Sequence, residues 1–259
     1  MARSGTVHPP RMNAVVSIVR LLAGLVCIGV LVVTMVPILV VLLPWRRRRI
    51  LVTNFFGTLI GRSVMACAGC TVEVEGLEHV SADRPAIYAA NHTSILDAFT
   101  TIWLTPYGTV GVAKREVVYY PFYGQAWWLA GHVFVDRART DRAKAALAKT
   151  AEFIRREKLH LCILPEGTRS ESGRLLPFKK GIVHVALATK LPIVPMIATG
   201  LAGVWPKGTL RLHPAKVKIT FLPPISTDHW TEDRVDEAIE ELRAPFLRAL
   251  PASMQPASA

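Results

Sequence analysis

Two side chains in the run NHTSILD (residues 91–97) have the types and the spacing that acid–base catalysis requires. Asp97 follows His92 by five residues, and the run comes directly after the short apolar segment 85–90. If a helix begins between them, the Asp97 carboxylate can turn back to the Nδ1–H of His92, fix its tautomer and leave Nε2 free. The spacing therefore predicts a histidine base that is oriented by a carboxylate.

The chain has no enzyme nucleophile that would complete a catalytic triad with this pair. No G-x-S-x-G motif occurs, and Ser94 is too near His92 in sequence to be assumed a nucleophile. A base without an enzyme nucleophile indicates that a hydroxyl group of the substrate attacks instead. Alone, the H-x4-D spacing fits a helix-capping histidine beside a solvated aspartate about as well, so the prediction depends on the rest of the chain.

The run PEGTRS (residues 165–170) predicts an anion-binding loop after a buried strand. Gly167 allows the backbone to approach a ligand closely, and the planar guanidinium of Arg169 matches a phosphate group. A predicted helix that opens at Gly181 would add its N-terminal amides to the same pocket. Further cations come at predicted strand ends or just before that helix, namely Lys114, Arg137, Lys179 and Lys180.

From residue 71 onward, apolar segments of strand length alternate with segments of helical periodicity. This order predicts an α/β fold with a mixed, largely parallel sheet flanked by helices. The predicted strands are 71–77, 85–90, 110–113, 132–135, 159–164, 193–198 and 217–222. The predicted helices are 95–104, the part of 119–129 that follows Pro121, 140–158, 181–190 and 231–250. The polar motifs follow predicted strands, which is where α/β enzymes place their sites.

An apolar, helical N-terminal segment predicts attachment to a membrane. Residues 21–45 contain no charged residue, and a hydrocarbon core is crossed by about 20 apolar residues. A second apolar stretch, residues 50–70, is interrupted by Arg62 alone, so a spanning helix and a two-helix hairpin in one leaflet both remain open. Arg46–Arg49 follow the apolar run at the position where a signal peptide would have its cleavage site of small residues, so a cleaved signal peptide is not expected. The expected division is an anchoring segment at 1–72, a catalytic domain at 73–250 and a disordered tail at 251–259.

The positive charge of the chain is concentrated beside this apolar segment. Residues 1–72 hold eight arginines, no lysine and no acidic residue, against a net charge of +12 for the whole chain. A nucleic-acid-binding protein is expected to carry its basic patch on the folded domain, so nucleic acid is not an expected partner. Arginines beside an apolar run suit anionic lipid headgroups, which makes the phospholipid bilayer the expected partner. The cluster Arg46–Arg49 places the catalytic domain on the cytoplasmic face of the cell (inner) membrane.

Four ordered blocks of the sequence resemble those of the glycerolipid acyltransferases, and most of all the bacterial 1-acyl-glycerol-3-phosphate acyltransferases. The blocks are NHTSILD, the pattern K-x6-P-x2-G-x6-G-x5-R from Lys114 to Arg137, PEGTRS, and LPIVP at residues 191–195. The resemblance covers about residues 85–200. One departure is Leu164, where the family often has phenylalanine before the PEGTR run.

The resemblance implies a reaction and a set of site residues. His92 would be the general base and Asp97 its partner, in the transfer of a fatty acyl group from a thioester to the free sn-2 hydroxyl of 1-acyl-sn-glycerol 3-phosphate (lysophosphatidic acid), giving phosphatidic acid. The acyl donor, acyl-CoA or acylated acyl carrier protein, is a substrate, and no cofactor is expected. The resemblance assigns the acceptor phosphate to Lys114, Arg137, Glu166, Gly167, Thr168 and Arg169.

Three alternatives remain open from the sequence. The acceptor could be glycerol 3-phosphate, another lysophospholipid or a lyso-amino-lipid. A metal-dependent hydrolase could use His92, Asp97 and Glu166 as ligands, although no H-E-x-x-H or paired-histidine spacing supports it, and no second pair joins Cys67 and Cys70 in a zinc site. A non-catalytic lipid-binding protein would need the basic pocket but not the His–Asp pair.

Overall fold

The computed structural model describes residues 13–119, 123–135, 140–206 and 209–256, and within them the chain forms a seven-stranded sheet flanked by helices. The strands are β1 Thr71–Glu75, β2 Ile87–Ala90, β3 Thr109–Lys114, β4 Val133–Val135, β5 His160–Ile163, β6 Ile193–Thr199 and β7 Lys216–Phe221. The helices are α1 Ala14–Val41, α2 Arg46–Ala68, α3 Leu96–Leu104, α4 Tyr123–Leu129, α5 Thr140–Glu157, α6 Gly181–Thr189, α7 Leu201–Val204 and α8 Val235–Ala249.

The sheet is mixed and largely parallel, as the order of elements predicts. Its strand order is β1-β7-β6-β2-β5-β3-β4, and β6–β7 is the antiparallel pair while the other neighbours are parallel. Each predicted strand and helix of the α/β region is present, with ends that shift by four residues at most. The predicted fold class is therefore confirmed.

The central strand β2 is buried on both faces, and its side chains alternate between two helical layers. Ile87 and Ala89 pack in the layer formed with α5, α6 and α8. Tyr88 and Ala90 pack in the layer formed with α2 and α3. Full burial of one such aliphatic side chain stabilises a fold by about 1.5–3 kcal/mol, so both layers fix the strand that leads into His92.

Helix α2 packs against the catalytic domain along its length. Near its start, Arg46 Nε donates to the carbonyl oxygen of Gly131 at 3.0 Å, and in its middle the Asn54 side chain accepts the N–H of Gly108 at 2.7 Å. Toward its end it lies so close to α3 that a Cβ added at Gly61 would be 2.4 Å from a carbonyl oxygen of α3. Because its start, its middle and a position toward its end are attached to the α/β region, α2 packs as part of the same folded unit.

Helix α1 packs on α2 as the other arm of a hairpin and leaves a long apolar face uncovered. Both helices are long and apolar enough to cross a membrane by length and composition. The large apolar side chains that α1 exposes include Val15, Ile18, Val19, Leu22, Leu25, Val26, Val30, Val33, Val40 and Val41. In the described residues α1 and α2 lie side by side and are joined by a short turn.

Arg20 and the arginine cluster lie at opposite ends of this hairpin. Arg20 Nη1 lies 3.4 Å from the carbonyl oxygen of Cys67, near the end of α2, whereas Arg46–Arg49 form the first turn of α2. At 1.5 Å of rise per residue, about 32 Å of helix lies between Arg20 and the end of α1 at Val41, just before the arginine cluster. Both therefore meet the same face of a bilayer only if the hairpin lies along that face.

Residues 251–256, for which the sequence predicts disorder, continue from α8 as a fixed segment. Ala252–Met254 form a 3-10 helix, and Gln255 Nε2 donates to the carbonyl oxygens of Leu247 at 3.0 Å and Leu250 at 3.2 Å. The last carbonyls of a helix lack partners within the helix, so the Gln255 side chain satisfies two of them. The tail is short and has no helical or strand periodicity, so its sequence does not predict this capping contact.

Candidate active site

The predicted site residues follow strands that lie side by side. Strands β2, β5, β3 and β4 are consecutive in the sheet and parallel, so their carboxyl ends open at one edge. His92 follows β2, Glu166 follows β5, and Lys114 is the last residue of β3. The sheet thus brings motifs that are far apart in sequence to the same edge.

His92 and Asp97 make the contact that their spacing predicts. His92 Nδ1 lies 3.1 Å from Asp97 Oδ2, and the same oxygen accepts the backbone N–H of Thr93 at 2.5 Å and of Ser94 at 2.7 Å. Asp97 is buried in the first turn of α3, where the helix dipole and these amides stabilise its negative charge. The imidazole is 19% exposed. Among the described residues Nε2 has no hydrogen-bond partner, so it is free to meet a substrate.

Glu166 is fully buried and joins the His92 loop to the loop before α6. Its Oε1 accepts the backbone N–H of His92 at 2.6 Å, and its Oε2 accepts that of Leu176 at 2.8 Å. Burial raises the pKa of the Glu166 carboxyl, and the two amides and the His92 imidazole oppose that rise. With both oxygens engaged and no exposure, this side chain supports the His92 loop, whereas the family resemblance assigns it to the acceptor phosphate.

Gly167, Thr168 and Arg169 form the turn that follows. Gly167 has a φ of +69°, in the left-handed region that side chains other than glycine rarely adopt. The turn leaves Thr168 exposed and Arg169 half-buried, and it returns to the His92 loop where Ser170 N–H donates to the His92 carbonyl oxygen at 2.8 Å. Arg169 has no carboxylate or hydrogen-bond partner in the part of the chain that the structure describes. Its guanidinium is therefore available to an anion.

The other predicted cations are only partly placed. Lys114 ends β3 opposite Val135 of β4, but its side chain lies outside the described residues, and so does the whole of Arg137. Lys180 forms an ion pair with Asp236 of α8 at 2.7 Å, so its charge is already compensated there. The phosphate roles of Lys114 and Arg137 stay predictions.

Asn91 fixes the position of this edge, a role that its place in the sequence does not predict. Its side chain donates to the carbonyl oxygen of Ala198 at 2.9 Å and accepts the N–H of the same residue at 2.7 Å. This two-bond bridge ties the end of β2 to β6 immediately before His92. The available signal was an amide directly after a wholly apolar strand, because a buried amide needs partners.

The geometry also bears on the metal-ligand alternative. Both oxygens of Glu166 accept backbone amides, and Asp97 Oδ2 accepts two amides besides the imidazole contact. Within the described ranges, no three His, Cys, Asp or Glu residues are grouped as metal ligands would be. The Asp97 and Glu166 carboxylates thus bond backbone amides and the His92 ring contacts Asp97. This arrangement favours acid–base chemistry over metal binding.

The chain is similar to known acyltransferases over most of its length. Residues 71–199 match the family model described as Acyltransferase. Over 234 residues the chain is 45% identical to a 1-acyl-sn-glycerol-3-phosphate acyltransferase of Limnanthes alba, which covers 89% of this chain and 83% of that protein. It is 40% identical over 245 residues to the protein of that name from Cocos nucifera, covering 95% of this chain and 79% of that one.

A solved structure has the same fold. The crystal structure of the 1-acyl-sn-glycerophosphate (LPA) acyltransferase of Thermotoga maritima superposes with a TM-score of 0.70 and 24% sequence identity. The match covers 93% of this chain and 98% of that one, so it includes the N-terminal hairpin as well as the sheet.

Proposed function

The chain belongs to the 1-acyl-sn-glycerol-3-phosphate acyltransferase family, and we propose that it transfers a fatty acyl group from a thioester to the sn-2 hydroxyl of 1-acyl-sn-glycerol 3-phosphate, giving phosphatidic acid. The observation that carries this proposal is the His92–Asp97 contact, with Nε2 free, on the loop that also bonds the Arg169 turn. A base beside an uncompensated guanidinium suits an acceptor that carries both a hydroxyl and a phosphate group.

The proposed reaction is a direct transfer between two bound substrates. His92 Nε2 takes the proton from the acceptor hydroxyl as its oxygen bonds to the thioester carbonyl carbon. Asp97, held by two amides, stabilises the imidazolium that forms. The tetrahedral intermediate collapses with cleavage of the carbon–sulfur bond, and His92 returns the proton to the departing thiolate. No acyl-enzyme forms, and the donor is acyl-CoA or acylated acyl carrier protein.

Arg169 is the proposed contact of the acceptor phosphate, with Lys114 and Arg137 as further contacts. We expect Arg169→Met to raise the KM for lysophosphatidic acid by about tenfold to a hundredfold, because a charge-assisted contact contributes about 1.5–3 kcal/mol. The kcat and the KM for the acyl donor should change much less. Initial rates at varied acceptor concentration measure this, and Arg248→Met, on the exposed surface of α8, is the matched control. An unchanged acceptor KM would remove Arg169 from the phosphate site.

The choice of acceptor is tested by offering alternatives at equal concentration in the same vesicles. Lysophosphatidic acid should outcompete a lyso-amino-lipid that lacks a phosphate monoester, because only the former pairs with the Arg169 guanidinium. Glycerol 3-phosphate, which has the phosphate but no acyl chain, separates recognition of the headgroup from recognition of the chain. Preference for the lyso-amino-lipid would keep the family and refute this acceptor.

The hairpin supports action at one face of a membrane. The contacts of α2 with the α/β domain at Arg46 and Asn54 and again at Gly61 support a helix that stays on the domain rather than one that crosses the bilayer. Helix α1 then lies along the domain surface with its apolar face outward. We propose that this face enters one leaflet, and that the membrane is the cell (inner) membrane approached from the cytoplasm, since arginines lie at both ends of the hairpin.

The four consecutive arginines divide into two pairs on the surface of α2. Arg46 and Arg49 donate to main-chain carbonyls between residues 128 and 131, whereas Arg47 and Arg48 are exposed. We expect the double variant Arg47→Ser, Arg48→Ser to bind anionic vesicles about tenfold to thirtyfold more weakly, since each basic residue at the surface contributes about 1 kcal/mol. Binding to neutral vesicles should not change. Sedimentation with vesicles measures both.

A charge-matched control separates a local from a general electrostatic effect. The double variant Arg234→Ser, Arg248→Ser removes two positive charges from exposed positions in or beside α8. It should bind anionic vesicles as the wild type does. An equal loss of binding to anionic vesicles in the two double variants would mean that net charge, and not the position of Arg47 and Arg48, determines lipid binding.

A further inference from the structure

The C-terminal segment Pro251–Gln255 contacts the loop that holds Glu166. The carbonyl oxygen of Met254 accepts the N–H of Leu175 at 2.8 Å, and the carbonyl oxygen of Gln255 accepts Arg174 Nη1 at 2.8 Å. Leu175 is 3% exposed and belongs to the main hydrophobic core. The contact is therefore made at a buried position rather than between two surface chains.

From this contact, the peptide bond between Leu175 and Leu176 and two further hydrogen bonds lead to the His92 loop. Leu176, the residue after Leu175, donates its N–H to Glu166 Oε2 at 2.8 Å. Glu166 Oε1 accepts the N–H of His92 at 2.6 Å. Met254 is thus linked to the backbone of the proposed base through one loop and one buried carboxylate.

The segment is itself held to the enzyme core. Gln255 Nε2 donates to the carbonyl oxygens of Leu247 and Leu250 at the end of α8. The start of α6 is tied to α8 as well, since the rings of Phe178 and Phe246 pack edge to face at 5.0 Å. The segment therefore connects a rigid helix to the loop that carries Leu176.

We propose that the C-terminal segment is a positioning element of the active site. It fixes Leu175 and Leu176 so that Glu166 keeps both of its amide donors and holds His92 in the geometry that proton transfer requires. The kinetic part of this inference rests on the proposed acyltransferase function, whereas its structural part does not.

Loss of the segment should act on Glu166 first. Without the Met254 and Gln255 carbonyls, the loop that bears Leu176 is free to move away, and a buried carboxylate is left with one amide. The charged or titratable groups that act on Glu166 are His92 and Asp97, and neither replaces the missing donor at Oε2. Glu166 then takes up a proton more readily or turns toward Leu176, and in both cases the His92 backbone loses its fixed acceptor.

The test compares a chain that ends after Leu250 with one that ends after Pro256, which keeps the segment. Amide hydrogen exchange should rise at residues 174–176 and 91–97 in the shorter chain only, because local opening exposes those amides. The kcat should fall by about tenfold to a hundredfold with both KM values within about threefold, since displaced catalytic groups lower the rate more than binding. Unchanged exchange at residues 91–97 in the shorter chain would overturn the proposal.

Point variants keep the test decisive if the shorter chain does not fold. Arg174→Met and Gln255→Leu should each produce the same pattern of exchange and kcat loss in smaller measure. Where the chain that ends after Leu250 does fold, Arg174→Met should have no added effect in it, because the partner of Arg174, the Gln255 carbonyl oxygen, is absent there. A further loss would show that Arg174 acts elsewhere and would contradict the assignment. If the full chain forms no phosphatidic acid, the proposed function fails, and hydrogen exchange still decides the role of the segment.

Discussion

Replacement of His92 by alanine should lower the rate of phosphatidic acid formation by about 10²–10⁴, because general-base help of this kind contributes that factor. The fold should survive, since the ring bonds only Asp97 among the described residues, whereas the His92 backbone makes the bonds to Glu166 and Ser170. Initial rates with lysophosphatidic acid and acyl-CoA in anionic vesicles measure the loss. Binding to those vesicles should be unchanged.

Two further variants assign that loss to the His92–Asp97 pair. Asp97→Asn keeps the shape of the side chain but removes the charge that stabilises the imidazolium, so kcat should fall while both KM values stay near those of the wild type. His184→Ala removes an exposed histidine of α6 and should leave the rate unchanged. Wild-type turnover in a folded His92→Ala protein would remove His92 from the mechanism.

Glu166→Gln should lower both the stability and the kcat of the enzyme. A glutamine has one oxygen and one amino group, so one of the two backbone amides that Glu166 accepts would face a donor instead. A buried donor left unpaired costs about 1–3 kcal/mol, which should lower the melting temperature by several degrees in a domain of this size. The kcat should fall by about tenfold to a hundredfold, because His92 is displaced.

The alternative role for Glu166, contact with the acceptor phosphate, predicts a different result. In that case Glu166→Gln would change the KM for lysophosphatidic acid and leave the kcat and the melting temperature nearly unaffected. A carboxylate near a phosphate is repulsive, so its removal would lower that KM. Either of these outcomes would contradict the positioning role that the two amide contacts indicate.

The same carboxyl group gives the enzyme a dependence on pH. Burial raises the pKa of Glu166, so it takes up a proton at a higher pH than an exposed glutamate does. As pH falls through that raised value, one of its two amide contacts is lost and kcat should decline. Glu166→Gln has no such proton, so its residual activity should lack this part of the decline. Profiles of kcat against pH for both proteins show the difference.

The fold was predictable from sequence because its signals are local. The apolar run of β2 and the helical spacing in α5 depend on neighbouring residues, and so does the return of Asp97 to His92 over five positions. Parallel strands then place the ends of β2, β5 and β3 at one edge without further information.

The parts that the sequence did not predict depend on contacts between distant residues. Glu166 looks like a polar loop residue until the amides of His92 and Leu176 are seen to meet it. The tail looks like a disordered end because Gln255 and Met254 acquire partners only when α8 and the loop at Leu175 are packed together. No local pattern records such pairings.

The central claim is direct transfer of an acyl group to the sn-2 hydroxyl of lysophosphatidic acid, and positional analysis of a labelled product tests it most directly. Purified protein in anionic vesicles would receive 1-acyl-sn-glycerol 3-phosphate and acyl-CoA labelled in the acyl group. We expect phosphatidic acid with the label at sn-2 and no labelled protein, and formation of this product about 10²–10⁴ more slowly with His92→Ala. Label that appears only as free fatty acid, or no phosphatidic acid from folded and membrane-bound protein with either acyl-CoA or acylated acyl carrier protein, would contradict it.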